Sequence, residues 1–359
     1  MRRAADLLLI AMLSSLLVGH SAGAEETKPP LFRLGTFEHQ GRTLVGLVRS
    51  DETVIDVAAA LAAHPSGKPM KAPSDMRDLI ARYDELKERL HAIAKDPAPP
   101  KAAVLARAAV KVRPPVLDPV TMLNAAVNYT EHGNEMQART PTPAPSAEAL
   151  GSPPGLWQRR ADDTRPTPYL FLKPRSALIA EGETIRIPPG RDKIDWECEL
   201  VVVIGRRASH VPLEQVPDYV FGYTLENDVS DRGGRGDARF GTDWLVGKAH
   251  DTFAPLGPFI VPREFVPDPQ KLGIRLTLSG TVMQDSSTAR MTHGVYELLH
   301  YASNVMTLVP GDVISTGTPS GVGAGRNPQL FMKPGDVAVC TIDGVGTLTN
   351  PVAAAETGR

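Results

Sequence analysis

From Leu31 the chain alternates apolar and polar residues in three short runs, Leu31–Phe37, Thr43–Val48 and Thr53–Val57, interrupted by His39-Gln40-Gly41 and Ser50-Asp51. A period of two predicts strands and the interruptions predict turns, so this stretch reads as a small antiparallel meander. The period then changes. Met76, Leu79, Ile80, Tyr83, Leu86, Leu90 and Ile93 recur every three or four residues, which predicts one amphipathic helix from about Asp75, capped by Ser74 or Asp75. Pro97-Ala98-Pro99-Pro100 ends that helix, and Arg113-Pro114-Pro115 with Asp118-Pro119 marks a hinge. The pattern predicts a small N-terminal α/β module over 25–112 and a second domain over 113–359.

The second domain is dominated by short apolar runs: Met122–Val127, Tyr169–Lys173, Glu197–Ile204, Tyr219–Leu225, Arg275–Leu278, Val313–Ile314 and Val337–Ile342. Thr288–Met306 is its best helix candidate. The expected class is therefore α+β, mixed and mostly antiparallel. Pro310-Gly311-Asp312 and Pro334-Gly335-Asp336 each precede an apolar run, which hints at a duplicated hairpin. Between Arg139 and Pro168, seven of 30 residues are proline. That density excludes regular structure and is too long for an ordinary connection, so 139–168 reads as a surface insertion or a lid.

Composition narrows the function classes. Lys and Arg number 39 against 41 Asp and Glu, a formal charge of −2, so no global charge favours nucleic acid or an acidic membrane surface. With 31 Gly and 33 Pro the chain is rich in turns. Met1-Arg2-Arg3, the apolar run Leu7–Val18 and Ala22-Gly23-Ala24 have the three-part layout of a secretory signal peptide over 1–24. The run is too short for a membrane anchor. Export to a bacterial periplasm, with no membrane attachment after cleavage, is the expectation. Two cysteines, Cys198 and Cys340, are read as buried free thiols, with pairing in an oxidising compartment as the alternative.

Candidate chemistry concentrates in three places. In Asp195-Trp196-Glu197-Cys198-Glu199, strand alternation puts Glu197 and Glu199 on one face and Cys198 on the other. Two like charges entering a core need a cation. Asp228, after the Tyr219–Leu225 run, would complete an oxygen-only set that suits Mg2+, Mn2+ or Ca2+ and not Zn2+. The ordinary alternatives are a solvated strand face for the glutamates and a turn or cap for Asp228. In Asn128-Tyr129-Thr130-Glu131-His132-Gly133-Asn134-Glu135, His132 and Glu135 share a helix face, as a base and its orienting carboxylate would. A solvated pair is the alternative. Lys173 and Lys248 each end an apolar, strand-like run, and Arg232 can pair with one of the carboxylates. The loop Thr316-Gly317-Thr318-Pro319 offers backbone N–H groups for a carboxylate or oxyanion, without the Lys-Ser/Thr of a phosphate loop.

The segments VNYTEHGNE, YLFLKPRSALI, DWECELVVVIG, FGYTLENDVSDR, WLVGKAHDTFAPLGP, LVPGDVISTGTPSGVG and KPGDVAVCTIDGVGTLTN, in this order from about Leu123 to Asn350, resemble the fumarylacetoacetate hydrolase family. The resemblance implies a mixed β-roll, usually a homodimer. It implies a divalent ion, Mg2+ foremost, on Glu197, Glu199 and Asp228. His132 and Glu135 match the dyad that orients or activates water, and Lys248 the catalytic lysine. Tyr129, Lys173, Arg232, Gly317 and Thr318 match substrate-facing positions. Two departures stand out: Arg235 occupies a position where the family commonly has glutamine, and the proline-rich insertion is long. The implied activity is metal-dependent hydrolysis of a C–C bond in a 1,3-diketo acid of the acylpyruvate or fumarylacetoacetate type. The alternatives are a decarboxylase or isomerase of unsaturated 2-oxo diacids, or a non-catalytic periplasmic binding protein on the same fold.

Overall fold

The computed structural model describes residues 31–50, 52–63, 70–139, 151, 153–157, 162–237, 239 and 241–356. The expected signal peptide over 1–24 lies outside these residues, as do 140–150, 152 and 158–161 of the proline-rich insertion. Among the described residues, no helix is long and apolar enough to cross a membrane.

The N-terminal meander forms as its alternation predicts, with strands Phe32–His39, Arg42–Arg49 and Val54–Asp56. The first two pair along their whole length, from Phe32 opposite Arg49 to His39 opposite Arg42. Helix α1 (Val57–Ala63) follows. The single helix expected from Asp75 is two: α2 (Met76–Ala81), capped by the Asp75 carboxylate accepting from Asp78 N–H, and α3 (Tyr83–Lys95). The break is Arg82, which leaves helical geometry at φ −106° while its guanidinium binds Asp78, Glu85 and the Lys71 carbonyl. Leu86, Leu90 and Ile93 form the buried face of α3.

One 12-stranded sheet runs through most of the chain. Phe32–His39 pairs antiparallel with Ala254–Pro262, which pairs with Val220–Asn227, then Cys198–Ile204, Val313–Ser315, Met122–Ala125 and Leu170–Leu172. The Val313 and Met122 strands are parallel neighbours. The meander is thus continuous with the sheet of the second domain. A five-stranded sheet built around Gly273–Leu278, Val337–Ile342 and Gly346–Ala354 packs on the Cys198, Val220 and Ala254 strands. Cys198–Ile204 is buried along its entire length, which is why its sequence beyond Glu199 is apolar on both faces.

Three further differences from expectation have local causes. The run ending at Lys248 is helix α5 (Trp244–Lys248), started by Asp243, whose carboxylate accepts from Val246 N–H at 3.2 Å. The expected helix over Thr288–Met306 shortens to α6 (Val295–Val305), because the preceding residues are tied elsewhere: Thr292 N–H to the Asn128 carbonyl and His293 N–H to Asn128 Oδ1. The two Pro-Gly-Asp turns share one device, in which the aspartate accepts an N–H three residues back, Val309 for Asp312 and Lys333 for Asp336. Their strands lie in different sheets, so they are a repeated turn and not a duplicated hairpin.

The cysteines are also corrected. Cys198 and Cys340 form a disulfide with Cα atoms 5.4 Å apart. Cys198 faces away from its flanking glutamates, onto the Val337–Ile342 strand of the second sheet, where Cys340 stands. The bond therefore clasps the two sheets directly behind the acidic strand. Of the proline-rich insertion, Trp157 is buried edge-on to His293, and Arg165 binds Asp163 and Glu297, docking the described part on α6.

Candidate active site

Alternation at the head of the Cys198 strand brings Glu197 and Glu199 to one face, and the antiparallel register places Cys198 opposite Asn227 and Glu199 opposite Glu226. Asp228 leaves the neighbouring strand at this point. Its N–H donates to the Glu197 carbonyl at 2.8 Å, and Asn227 Oδ1 accepts from Glu197 N–H at 2.9 Å. Glu197, Glu199 and Asp228 are all buried, with one oxygen from each within 4.8 Å of the others. The solvated-face and simple-turn alternatives for these residues do not survive that burial.

Three cations enter the cluster. Lys248 Nζ bridges Glu197 Oε2 at 2.6 Å and Asp228 Oδ2 at 2.7 Å. Lys173 Nζ donates to Asp228 Oδ1 and, at 3.0 Å, to the Val229 carbonyl. Arg232 donates to Glu197 Oε1 and, at 3.0 Å from Nε, to Asp195 Oδ2. Burial raises the Glu197 pKa, but Lys248, Arg232 and His132 outweigh it and hold the carboxyl well below the usual range. Glu199 is the opposite case. It accepts from Gly317 N–H at 2.8 Å, while burial and then Asp228 and Glu197 push it well above the usual range. Burial and Asp228 likewise push Glu226 up to about 7.

His132, on α4 (Thr130–Arg139), is buried, with Nδ1 3.3 Å from Glu135 Oε2 and Nε2 4.0 Å from Glu197 Oε1. Glu135 is held in turn by Gly321 N–H at 3.1 and 3.2 Å to its two oxygens. A Cβ at Gly325 would lie 2.1 Å from the Glu135 carboxyl carbon, so this turn can approach α4 only as glycine. The ring is thus fixed by a carboxylate on one nitrogen and turned toward the triad on the other.

The residues present fit a divalent cation. The donors are all carboxylate oxygens, the hard set preferred by Mg2+, Mn2+ and Ca2+. Glu199 is a buried carboxylate whose described hydrogen bond is to a neutral amide, so it is the member of the triad left short of positive charge. Tyr129 supplies a second sign: its side chain is buried, and among the described residues its hydroxyl has no hydrogen-bond partner. Burial and Glu199 raise the phenol's pKa.

Every residue singled out in the sequence lies at or beside this centre, although not always in the expected attitude. Arg232 and Lys173 are committed to carboxylates. Gly317 gives its N–H to Glu199, and its φ of +88° with Asn128 Cβ only 2.7 Å from an added Cβ requires glycine there. The Thr318 hydroxyl points behind the strand, donating to the Cys198 carbonyl at 3.0 Å and accepting from Gln284 at 2.8 Å. Sequence reasoning missed Asp195, which holds Arg232 and accepts from Gly323 and Ala324 N–H, and Glu226, which accepts from Asn124. Both were available from alternation, since each stands two residues before a triad member. Asn227 and Gln284, whose side chains bind backbone, left no such signal.

Comparison with known proteins agrees with this geometry. The model of the fumarylacetoacetate (FAA) hydrolase C-terminal domain matches residues 121–353. A mitochondrial oxaloacetate tautomerase of Xenopus laevis is 34% identical over 280 residues, covering 78% of this chain and 79% of that protein. The crystal structure of maleylpyruvate hydrolase from Sphingobium sp. SYK-6, in complex with manganese(II) ion and pyruvate, has a TM-score of 0.67 at 29% identity, over 90% of this chain and all of that one. A 5-carboxymethyl-2-hydroxymuconate delta-isomerase from Mycobacterium smegmatis has a TM-score of 0.62 at 29% identity and the same coverage. The acidic strand pair, the helix-borne lysine and the His–Glu pair all fall within the matched span, and the chain belongs to the fumarylacetoacetate hydrolase family.

Proposed function

We propose that this chain is a divalent-metal-dependent tautomerase that interconverts the keto and enol forms of a 2-oxo dicarboxylic acid. The observation that carries this reading is the position of Lys248, whose ammonium joins two of the triad carboxylates beside an oriented His132. Enolisation needs a base at C3 and a proton at the 2-oxo oxygen, and these two groups supply both. Relatives named as oxaloacetate tautomerases, one at 34% identity, support it.

Glu197, Glu199 and Asp228 would hold the ion, Mg2+ first and Mn2+ second, which when bound supplies positive charge against the substrate's carboxylate and 2-oxo oxygens. His132 Nε2 takes the C3 proton while Glu135 keeps Nδ1 oriented. Lys248 Nζ would meet the charge that develops on the 2-oxo oxygen and deliver the proton that completes the enol. The reverse transfers give the ketone, so no water is consumed.

A second reading, hydrolysis of a C–C bond in a 1,3-diketo acid, is favoured by the His132–Glu135 pair and by the likeness to maleylpyruvate hydrolase. There His132 would take its proton from water. The two separate in one experiment: purified protein with Mg2+ is given oxaloacetate and, separately, an acylpyruvate. Accelerated enol–keto exchange with the acylpyruvate left intact supports the tautomerase; release of pyruvate from the acylpyruvate supports the hydrolase.

We also propose that the protein is exported and works as a homodimer. The pattern of residues 1–24 supports export, and the Cys198–Cys340 disulfide fits an oxidising compartment. Intact-mass measurement of the protein from a periplasmic fraction, together with its solution mass, tests both.

A further inference from the structure

A cavity of about 410 Å³ is lined by Arg232, Arg235, Trp244 and Lys248 with the glycine-rich strip between them. Its inner wall belongs to the centre, because Arg232 and Lys248 are hydrogen-bonded to Glu197 there. Its outer wall carries Arg235, which is exposed. The cavity therefore runs from the two cations that hold Glu197 to a further, exposed cation. We propose that Arg235 recognises the distal carboxylate of the substrate, so that the site selects 2-oxo dicarboxylates over 2-oxo monocarboxylates of the same chain length. This inference rests on the tautomerase reading and names the specificity determinant of that site.

The charges around the cavity favour an anion at this end. Asp231 is bound by Arg191 and by Gly233 N–H at 2.8 Å, and Asp237 by Arg239 at 2.7 Å. Asp243, whose Oδ2 lies 3.3 Å from Arg235 Nη1, uses Oδ1 to cap α5. Each cavity-wall carboxylate thus already has a partner. An exposed ion pair of 3.3 Å contributes little, whereas a substrate carboxylate can meet a guanidinium through two parallel hydrogen bonds. If Arg235 turns to a substrate carboxylate, Asp243 retains its capping role through Oδ1. Gly234 and Gly236, at φ +59° and +77°, flank the arginine and let the strip turn on either side of it.

The test compares oxaloacetate with 2-oxobutanoate, which has the same length without the distal carboxylate. Binding of each to Mn2+-loaded protein is measured by calorimetry, alongside KM and kcat for oxaloacetate. R235Q is expected to weaken oxaloacetate binding about 10- to 100-fold, with kcat within about threefold and 2-oxobutanoate binding within about threefold. R235K should recover part of the loss. R239Q, which removes a neighbouring charge paired to Asp237, should leave the ratio of the two affinities unchanged. Equal weakening of both ligands, no weakening of either, or the same ratio change in R239Q would overturn the inference. If the parent binds both ligands without enolising oxaloacetate, the tautomerase reading fails on its own and the affinity ratio still judges Arg235.

Discussion

His132 Nδ1 lies 3.3 Å from Glu135 Oε2, while Gly321 N–H holds that carboxylate from the other side. The pair works as one part only if the carboxylate sets the imidazole's orientation. E135Q keeps the shape and loses the charge, and the expected result is a kcat lowered about 10- to 100-fold with KM little changed. H132A should lose at least about 100-fold. Steady-state kinetics on oxaloacetate, with circular dichroism to confirm folding, checks both. Wild-type kcat in H132A would remove His132 from the chemistry.

Glu199 predicts an unusual sign. Its carboxyl is buried and pushed well above the usual range by burial and by Asp228, so its charged form is disfavoured without a metal. E199Q should therefore unfold within about 1 kcal/mol of the metal-free parent at pH 7, or be more stable. Metal should reveal the loss. Saturating Mn2+ at about 100 times Kd should stabilise the parent by about 2.7 kcal/mol and leave E199Q unmoved. Thermal denaturation with and without Mn2+ reads both effects.

The architecture and the chemistry were legible in the sequence to different depths. Strand alternation placed Glu197 and Glu199 on one face, and period-three spacing paired His132 with Glu135, because both rest on local geometry. Arg82 could not be foreseen as a helix break, since it acts through a carbonyl 11 residues away. Lys248 ends an apolar run that predicts a strand, yet the Asp243 cap turns that run into helix. The cysteine pairing depended on a sheet-to-sheet contact across 142 residues. Arg232 pairs with carboxylates, as its position in the sequence allows, although the family resemblance also marks it as substrate-facing; for Lys173 only the fold shows the carboxylate.

The disulfide closes that 142-residue separation behind the acidic strand. C340S is expected to be about 2–5 kcal/mol less stable in urea denaturation. Parent treated with reductant after unfolding should refold to the same reduced stability. Equal midpoints for parent and variant under non-reducing conditions would show that the bond does not carry this load.

Glu297 links the docked insertion to pH. Burial raises its carboxyl, but His293, whose Nδ1 is 3.8 Å away, and Arg165, at 2.8 Å, together hold it at about 2. An acid depressed below its unfolded value of about 4.5 stabilises the fold above that pH, and the contribution is lost as pH falls toward 2. E297Q should be about 1–2 kcal/mol less stable than the parent at pH 7, after allowance for partial exposure. That gap should narrow between pH 5 and pH 2.5. A gap constant across the series would break the linkage.

The central claim is that the Glu197–Glu199–Asp228 centre needs a divalent ion to enolise a 2-oxo diacid. Its most direct test follows enol–keto exchange of oxaloacetate by ultraviolet absorbance with Mg2+-loaded protein, then after chelation, with the rate from Mg2+ alone subtracted. The predicted result is acceleration that disappears with chelator and returns with Mg2+. Acceleration indifferent to chelator, or none with Mg2+, Mn2+ or Ca2+, would contradict it.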